Sequence, residues 1–462
     1  MRSKTVPAGA TRLSAALVAV LATLALLAAS AAVVVGPAPV ARADDRSHND
    51  RSQHASQYDH RSPNDGRQRP VAHWTAAWAT AVHHPFALSE WFGPNWSEEG
   101  FADQTVRQVV RVTTGGSQVR VRLSNRFGTA PLRVTGVTVA RAADGAAVRP
   151  GTLRPVTFDG RTSTTIPAGS DLASDPVRLP TRALQRLAVT TYFAQPTGAT
   201  TFHEGGLTTT YRAAGDHRFA TAAGPFGGEA THSYYLLTGV DVTRGPGRQV
   251  GTVVAFGDSI TDGALSAANV DNRYPDELAE RLVAAGLRLG VANLGINGNK
   301  VLGDSTCFGE RGVARFGRDA LGQPGVRTVI VLEGINDIGS GGLPDTGCGT
   351  APKVTAEQLI AGHHAMIAAA HARGVRILGA TLTPVKGNEY GYDTPEKEQI
   401  RDEVNHWIRT SGEYDGVVDF DRAVADPADP DAFLPAYDGG DHLHPNDAGM
   451  RAMAEAIDLA DL

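Results

Sequence analysis

The chain of 462 residues has little of several things, and each scarcity excludes something. It holds two cysteines, too few for a disulfide-built scaffold or a thiolate metal cluster. Formal charge is only −6, which gives no basic field for a nucleic-acid partner. Beyond the first 43 residues no apolar run is long enough to cross a bilayer. No Gly-x-Ser-x-Gly elbow occurs, which disfavours an ordinary α/β-hydrolase.

The start of the chain reads as an export signal, 1–43. Arg2, Lys4 and Arg12 give a basic beginning, and residues 13–35 are apolar without a charge. Ala41-Arg42-Ala43 supplies a small-x-small cleavage site, so the mature chain is expected to begin at Asp44, to be secreted and to keep no membrane insertion. Residues 44–72 are dense in Asp, Arg, His, Ser, Asn and Gln, with little to bury, and read as a disordered linker.

Residues 73–245 show short β-runs broken by Gly, Pro and Asp: 105–112, 118–123, 133–140, 163–166, 187–193, 208–211 and 233–237. In the second, Val119, Val121 and Leu123 alternate with Gln118, Arg120 and Arg122, which predicts one face inward and one in water. The expected architecture is an all-β, jelly-roll-like sandwich. Trp74 and Trp78 are expected on one face of a strand. Trp91 and Trp96 flank Phe92, Gly93 and Pro94 and read as loop aromatics that could touch ligand. Residues 243–248, rich in Gly, Pro and Arg, read as a hinge.

From 250 to 462 strands and helices alternate. Strands are expected near 252–256, 288–293, 326–332, 375–381 and 416–419, and helices near 275–285, 355–373, 396–410 and 446–458. Such alternation predicts a parallel sheet covered by helices on both faces. The stretch Val253-Val254-Ala255-Phe256-Gly257-Asp258-Ser259 is an apolar strand ending in a turn that presents a serine. In open parallel sheets ligands bind outside such carboxyl ends. Gly303-Asp304-Ser305 repeats the same three residue types without a preceding strand and reads as a plain loop.

Three further stretches follow in order: Asn293-Leu294-Gly295-Ile296-Asn297-Gly298, Gly334-Ile335-Asn336-Asp337, and Asp441-His442-Leu443-His444-Pro445. Together with the first, these blocks resemble those of the SGNH (GDSL) serine hydrolase family over roughly residues 250–460. The order of the two halves also resembles that of secreted actinobacterial esterases, in which the β-domain is regarded as accessory. The resemblance implies a three-layer α/β/α, flavodoxin-like hydrolase domain. It implies Ser259 as nucleophile, His444 as general base and Asp441 as its orienting acid. The oxyanion hole would combine the N–H groups of Ser259 and Gly298 with the Asn336 side-chain amide. An i, i+3 spacing is expected to set Asp441 and His444 on one side of a helical turn, with His444 capping the last helix.

His442 is an alternative base, and His442-Leu443-His444 has the look of a metal pair, but no third ligand accompanies it. No metal or cofactor is therefore expected. An exported chain with two cysteines should pair them, so a Cys307–Cys348 disulfide is expected, tying together the loops that follow the Gly298 and Asn336 blocks. The activity implied is hydrolysis of carboxylic esters, with acetylated polysaccharide as the favoured partner. A lipase or phospholipase, and a carbohydrate-binding protein with an inactive hydrolase domain, are the rivals.

Overall fold

The structure, a computed structural model, describes residues 73–87, 92–243, 251–345 and 347–462. The stretches expected to be an export signal and a linker, with Trp91 and most of the expected hinge at 243–248, lie outside the described residues. No helix among the described residues is long and apolar enough to cross a membrane.

The first half is built from antiparallel strands. One sheet runs, in spatial order, Thr75–Ala79, Leu237–Thr243, Gln118–Asn125 and Ser170–Ala173. The other runs Ala230–Thr231, Thr210–Ala214, Gln104–Val112, Gln185–Phe193, Gly136–Arg141 and Arg154–Val156. Val106, Val110 and Val112 of the second sheet share one apolar cluster with Val119, Val121, Leu123, Val240 and Val242 of the first. Alternation along Gln118–Asn125 sends the valines into that cluster.

The opposite face of that strand is not simply in water. Arg120 and Arg122 both pair with the fully buried Asp241, and Arg122 also reaches Gln323 of the second half at 2.7 Å. Trp74 and Trp78 do not share a face either. The ladder shifts between Ala76 and Trp78, and one extra residue reverses the side-chain alternation. Trp78 packs in the core against Tyr234, whereas Trp74 lies half-buried under the Arg120 guanidinium. Trp96 is 1% exposed and stacks on Tyr235, so it is a core residue and not a loop aromatic open to ligand.

The second half carries a five-stranded, wholly parallel sheet. Its strands are β1 (Thr252–Gly257), β2 (Gly290–Gly295), β3 (Val326–Leu332), β4 (Arg376–Ala380) and β5 (Gly416–Val418). The spatial order is β2-β1-β3-β4-β5, the flavodoxin-like order. Every residue of β1 is buried, as a central strand covered on both faces requires. Its helices are α1 (Ser259–Asp262), α2 (Tyr274–Ala284), α3 (Gly312–Asp319), α4 (Ile335–Ser340), α5 (Ala356–His371), α6 (Pro395–Thr410), α7 (Phe420–Val424) and α8 (Asp447–Glu455).

Right-handed crossovers send the β1-to-β2 connection to one face and the β2-to-β3 connection to the other. Accordingly α2 packs with α8, while α5 packs with α3 and α6. The sequence reading had no α1, α3, α4 or α7. Helix α5 begins as read, with Thr355 and Gln358 forming a reciprocal capping box, and a left-handed Gly374 follows its end.

The described residues form one compact unit. The strand Thr75–Ala79 lies between its two cores. Ala77 and Trp78 face the antiparallel cluster, while Ala76 and Ala79 belong to the cluster of the parallel sheet. The small side chains allow the close approach. A Cβ on Gly290 of β2 would fall 2.2 Å from the Ala76 carbonyl oxygen. Thr113 and Val291 stitch the same seam, with the Val291 N–H donating to Thr113 Oγ1 at 2.8 Å.

Candidate active site

Strand β1 stops at a residue that has to be glycine. A Cβ on Gly257 would lie 2.2 Å from the Leu332 carbonyl oxygen. Asp258 then caps α1, its Oδ1 accepting the Ile260 N–H at 3.0 Å. Ser259 is the first residue of this short helix, which ends at the left-handed Gly263. Asn336 follows β3 in the same way, as the second residue of α4. The connections from β1 and β3 leave the sheet in opposite directions, and such a switch point opens a crevice between neighbouring strand ends.

His444 joins Ser259 across this crevice. Ser259 Oγ lies 2.8 Å from His444 Nε2, and His444 Nδ1 lies 2.7 Å from Asp441 Oδ2. An Nδ1–H donated to the carboxylate leaves Nε2 as the acceptor for the serine hydroxyl. The local conformation is not the helical turn expected. Asp441 to His444 form bends, His442 has φ +57°, and Asp441 Oδ1 accepts the N–H groups of Leu443 and His444. An aspartate-centred turn thus brings the two side chains together. Asn446, not His444, caps α8. Burial raises the Asp441 carboxyl, but hydrogen bonds from the His444 ring and from two backbone N–H groups outweigh it, so the group stays below the usual carboxylate range.

His442 points elsewhere. Its Nδ1 pairs with Asp438 at 2.5 Å and the residue is exposed. The Nδ1 atoms of His442 and His444 thus meet different carboxylates, Asp438 and Asp441. Among the described residues one acidic cluster, Glu398, Asp402 and Asp431, has ligand-like proximity, and the Arg401 guanidinium pairs with it.

The oxyanion candidates sit on loops bound to one another. Ile296 N–H donates to the Gly257 carbonyl at 3.1 Å, which fixes the Gly298 turn beside α1. Gly298 has φ +70°, and a Cβ there would fall 2.5 Å from the Phe308 ring. The glycine is thus required by a left-handed turn beneath an aromatic ring. Asn336 Nδ2 donates to the Asn299 carbonyl at 3.0 Å, and Tyr392 OH lies 2.7 Å from Asn336 Oδ1. Burial raises the Tyr392 phenol, so it stays a donor and fixes which end of the amide is NH2. One amide hydrogen is then held by Asn299 and one is left over. Neither Ser259 nor Gly298 has an acceptor for its backbone N–H among the described residues.

Beneath these loops lies a buried polar floor that the sequence reading missed. Arg315 is fully buried and donates to the Gly257 carbonyl, the Leu294 carbonyl and Asn299 Oδ1, and pairs with Glu333 at 3.2 Å. One side chain thereby joins the ends of β1, β2 and β3. Asp337 accepts the N–H groups of Val301 and Leu302, tying α4 to the Gly298 loop. Burial pushes Asp258 up to about 7 and Asp337 up to about 6, and it raises Glu333 as well. An arginine inside a short Gly-containing helix carries no obvious periodic signal. A buried Arg–Glu pair can be found only when the fold is known.

Cys307 and Cys348 form a disulfide. Ser305 donates to the Cys348 carbonyl at 2.8 Å and has no part in the Ser259 cluster. His363 is buried against Tyr414, while His364 and His371 pair with Glu413 and Asp415, so all three serve packing or surface pairing.

Residues 255–452 match the GDSL-like Lipase/Acylhydrolase family. Among solved structures, a putative lipolytic protein of the G-D-S-L family from Desulfitobacterium hafniense is 21% identical, over 44% of this chain and 96% of that one, with a TM-score of 0.34. A putative acylhydrolase from Bacteroides fragilis is 19% identical, over 46% and 89%, with a TM-score of 0.35. A variant of an acetyl-xylooligosaccharide esterase from Geobacillus stearothermophilus is 23% identical, over 45% and 94%, with a TM-score of 0.34. No curated protein matches the chain.

Proposed function

We propose that the chain is a secreted serine esterase that cleaves short-chain carboxylic esters, with O-acetyl groups on polysaccharide as the favoured substrate. The observation that carries the reading is the continuous hydrogen-bonded chain Ser259–His444–Asp441 at a strand end. His444 Nε2 takes the Ser259 proton as Oγ adds to the ester carbonyl. The carbonyl oxygen becomes an oxyanion, met by the N–H groups of Ser259 and Gly298 and the free amide hydrogen of Asn336. The intermediate collapses, the bond to the alcohol oxygen breaks, and His444 returns the proton to that oxygen. Water then repeats the sequence on the acyl-serine and releases the acid. Asp441 stays ionised and stabilises the imidazolium. No step calls for a cofactor.

Export starting at Asp44 and a preceding β-half suit an extracellular polymer substrate. With Trp96 buried, that preference does not rest on sugar stacking there. The test is hydrolysis of p-nitrophenyl esters of increasing acyl length, with acetate release from acetylated glycans beside a phospholipid panel. Preference for acetate supports the reading. Preference for long acyl chains or phospholipid assigns a lipase, and no turnover assigns a binding protein.

A further inference from the structure

The antiparallel half reaches into the candidate site through one loop. Phe202–His203 pairs with Tyr234–Tyr235, and His83 bridges to Phe202 on its other side. The chain then turns through Glu204, Gly205 and Gly206 against the parallel half. Its contacts fall on the segments that hold Ser259 and Gly298.

His203 Nε2 lies 3.1 Å from Asp262 Oδ1, and both side chains are almost wholly buried. Asp262 is the last residue of the helix that Ser259 begins. The Asn297 side chain donates to the Glu204 carbonyl at 3.3 Å, and Asn297 directly precedes Gly298. The Glu204 N–H is itself held by His83 Nε2 at 3.2 Å, and His83 Nδ1 lies 3.1 Å from the His84 carbonyl. Burial lowers His83 to about 3, so its ring is neutral and can accept at Nε2 while donating at Nδ1. Gly205 has φ +83°, and a Cβ there would lie 2.4 Å from Asn297 Nδ2.

Burying polar groups costs stability, and His203 Nδ1 and Asp262 Oδ2 have no hydrogen-bond partner among the described residues. A half that merely adhered to the hydrolase could do so with apolar side chains alone, as the alanine strand already does. Polar contacts cross the seam elsewhere too, as at Arg122–Gln323 and Arg111–Glu280, but His203 and the Glu204 carbonyl meet the segments that support Ser259 and Gly298.

We infer that the loop 203–206 is a working part of the ester-cleaving site, with His203 and Asn297 as positioning residues for the Ser259 helix and the Gly298 N–H. The inference rests on the hydrolase reading proposed above. It makes the antiparallel half a requirement for catalysis and not an appendage for binding.

Asn297→Ala removes the donor to Glu204. Gly205→Ala, made in the other half of the chain, pushes a methyl group towards Asn297. Both are made in the full chain and assayed by steady-state hydrolysis of p-nitrophenyl acetate beside Ser259→Ala, with thermal unfolding as the folding control. A small misplacement of a reacting group costs up to about 10²-fold, so a folded variant is expected to lose about tenfold or more in kcat while KM moves less than about twofold. A merely structural contact would lower the unfolding midpoint and leave the kcat of the folded protein unchanged. Wild-type kcat in the folded variants, with Ser259→Ala inactive, overturns the inference and leaves the hydrolase reading standing. Activity in Ser259→Ala overturns that reading instead. If neither variant folds, the contact belongs to folding, and the positioning role is likewise overturned.

Discussion

The Arg315 guanidinium donates to the Gly257 carbonyl at 2.8 Å, so a fully buried cation holds the residue two before Ser259. Its partner Glu333 is also fully buried. Removing one member of such a pair leaves an uncompensated charge, at a cost of about 3–5 kcal/mol. Arg315→Met should therefore show that loss in urea unfolding. Arg315→Met combined with Glu333→Gln should recover part of it, and an additive double variant would deny the coupling.

Asp258 titrates next to Ser259. Its carboxyl is raised from 3.8 to about 7, chiefly by burial, so the folded state holds a proton that the unfolded chain has released. A raised folded value contributes stability that is fully present below about pH 4 and lost as pH rises through about 7. Asp258→Asn keeps an N-cap acceptor for Ile260 but cannot titrate. Stability measured from pH 4 to 7 should fall less steeply in Asp258→Asn than in the wild type. An unchanged slope would place the titration elsewhere.

The disulfide joins residues 41 apart in sequence. In the chain-entropy model, closing a loop of that length stabilises by about 4 kcal/mol. Replacing both Cys307 and Cys348 by serine should lower unfolding free energy by about that amount. A loss below about 1 kcal/mol would show that the loops are held by their other contacts.

Asn336→Ala should lower kcat with little effect on KM, because an oxyanion exists only near the transition state. Loss of one donor costs about 10²–10³. Asn336→Asp should be worse, since a carboxylate repels the developing charge. Tyr392→Phe should show a smaller loss of kcat, because Tyr392 only orients the amide through Oδ1. Wild-type kcat in Asn336→Ala would return this block to a plain turn.

Much of the parallel half was legible because its signals are local. The apolar run of β1 and the glycine at its end each follow from neighbouring residues. The Ser259, Gly298, Asn336 and His444 segments were legible through their joint resemblance to the SGNH (GDSL) blocks, since each alone reads as a turn. What was not legible depends on partners far along the chain. Trp96 is buried because Tyr235 covers it, 139 residues away, and one inserted residue at Ala77 separates the faces of Trp74 and Trp78. Helices α3 and α4 are short and bury Arg315, Asn336 and Asp337 beside Phe316, Ile335 and Ile338, so no long apolar period announces them. The seam between the halves, with His83 and His203 inside it, left no periodic trace at all.

The central claim is that Ser259 is the nucleophile. It is tested most directly by comparing Ser259→Ala with Ser305→Ala on p-nitrophenyl acetate, with circular dichroism showing both folded. Loss of a triad member costs on the order of 10⁴–10⁶ in kcat. The account predicts that loss in Ser259→Ala and full activity in Ser305→Ala. Activity retained in Ser259→Ala, or lost only in Ser305→Ala, would contradict it.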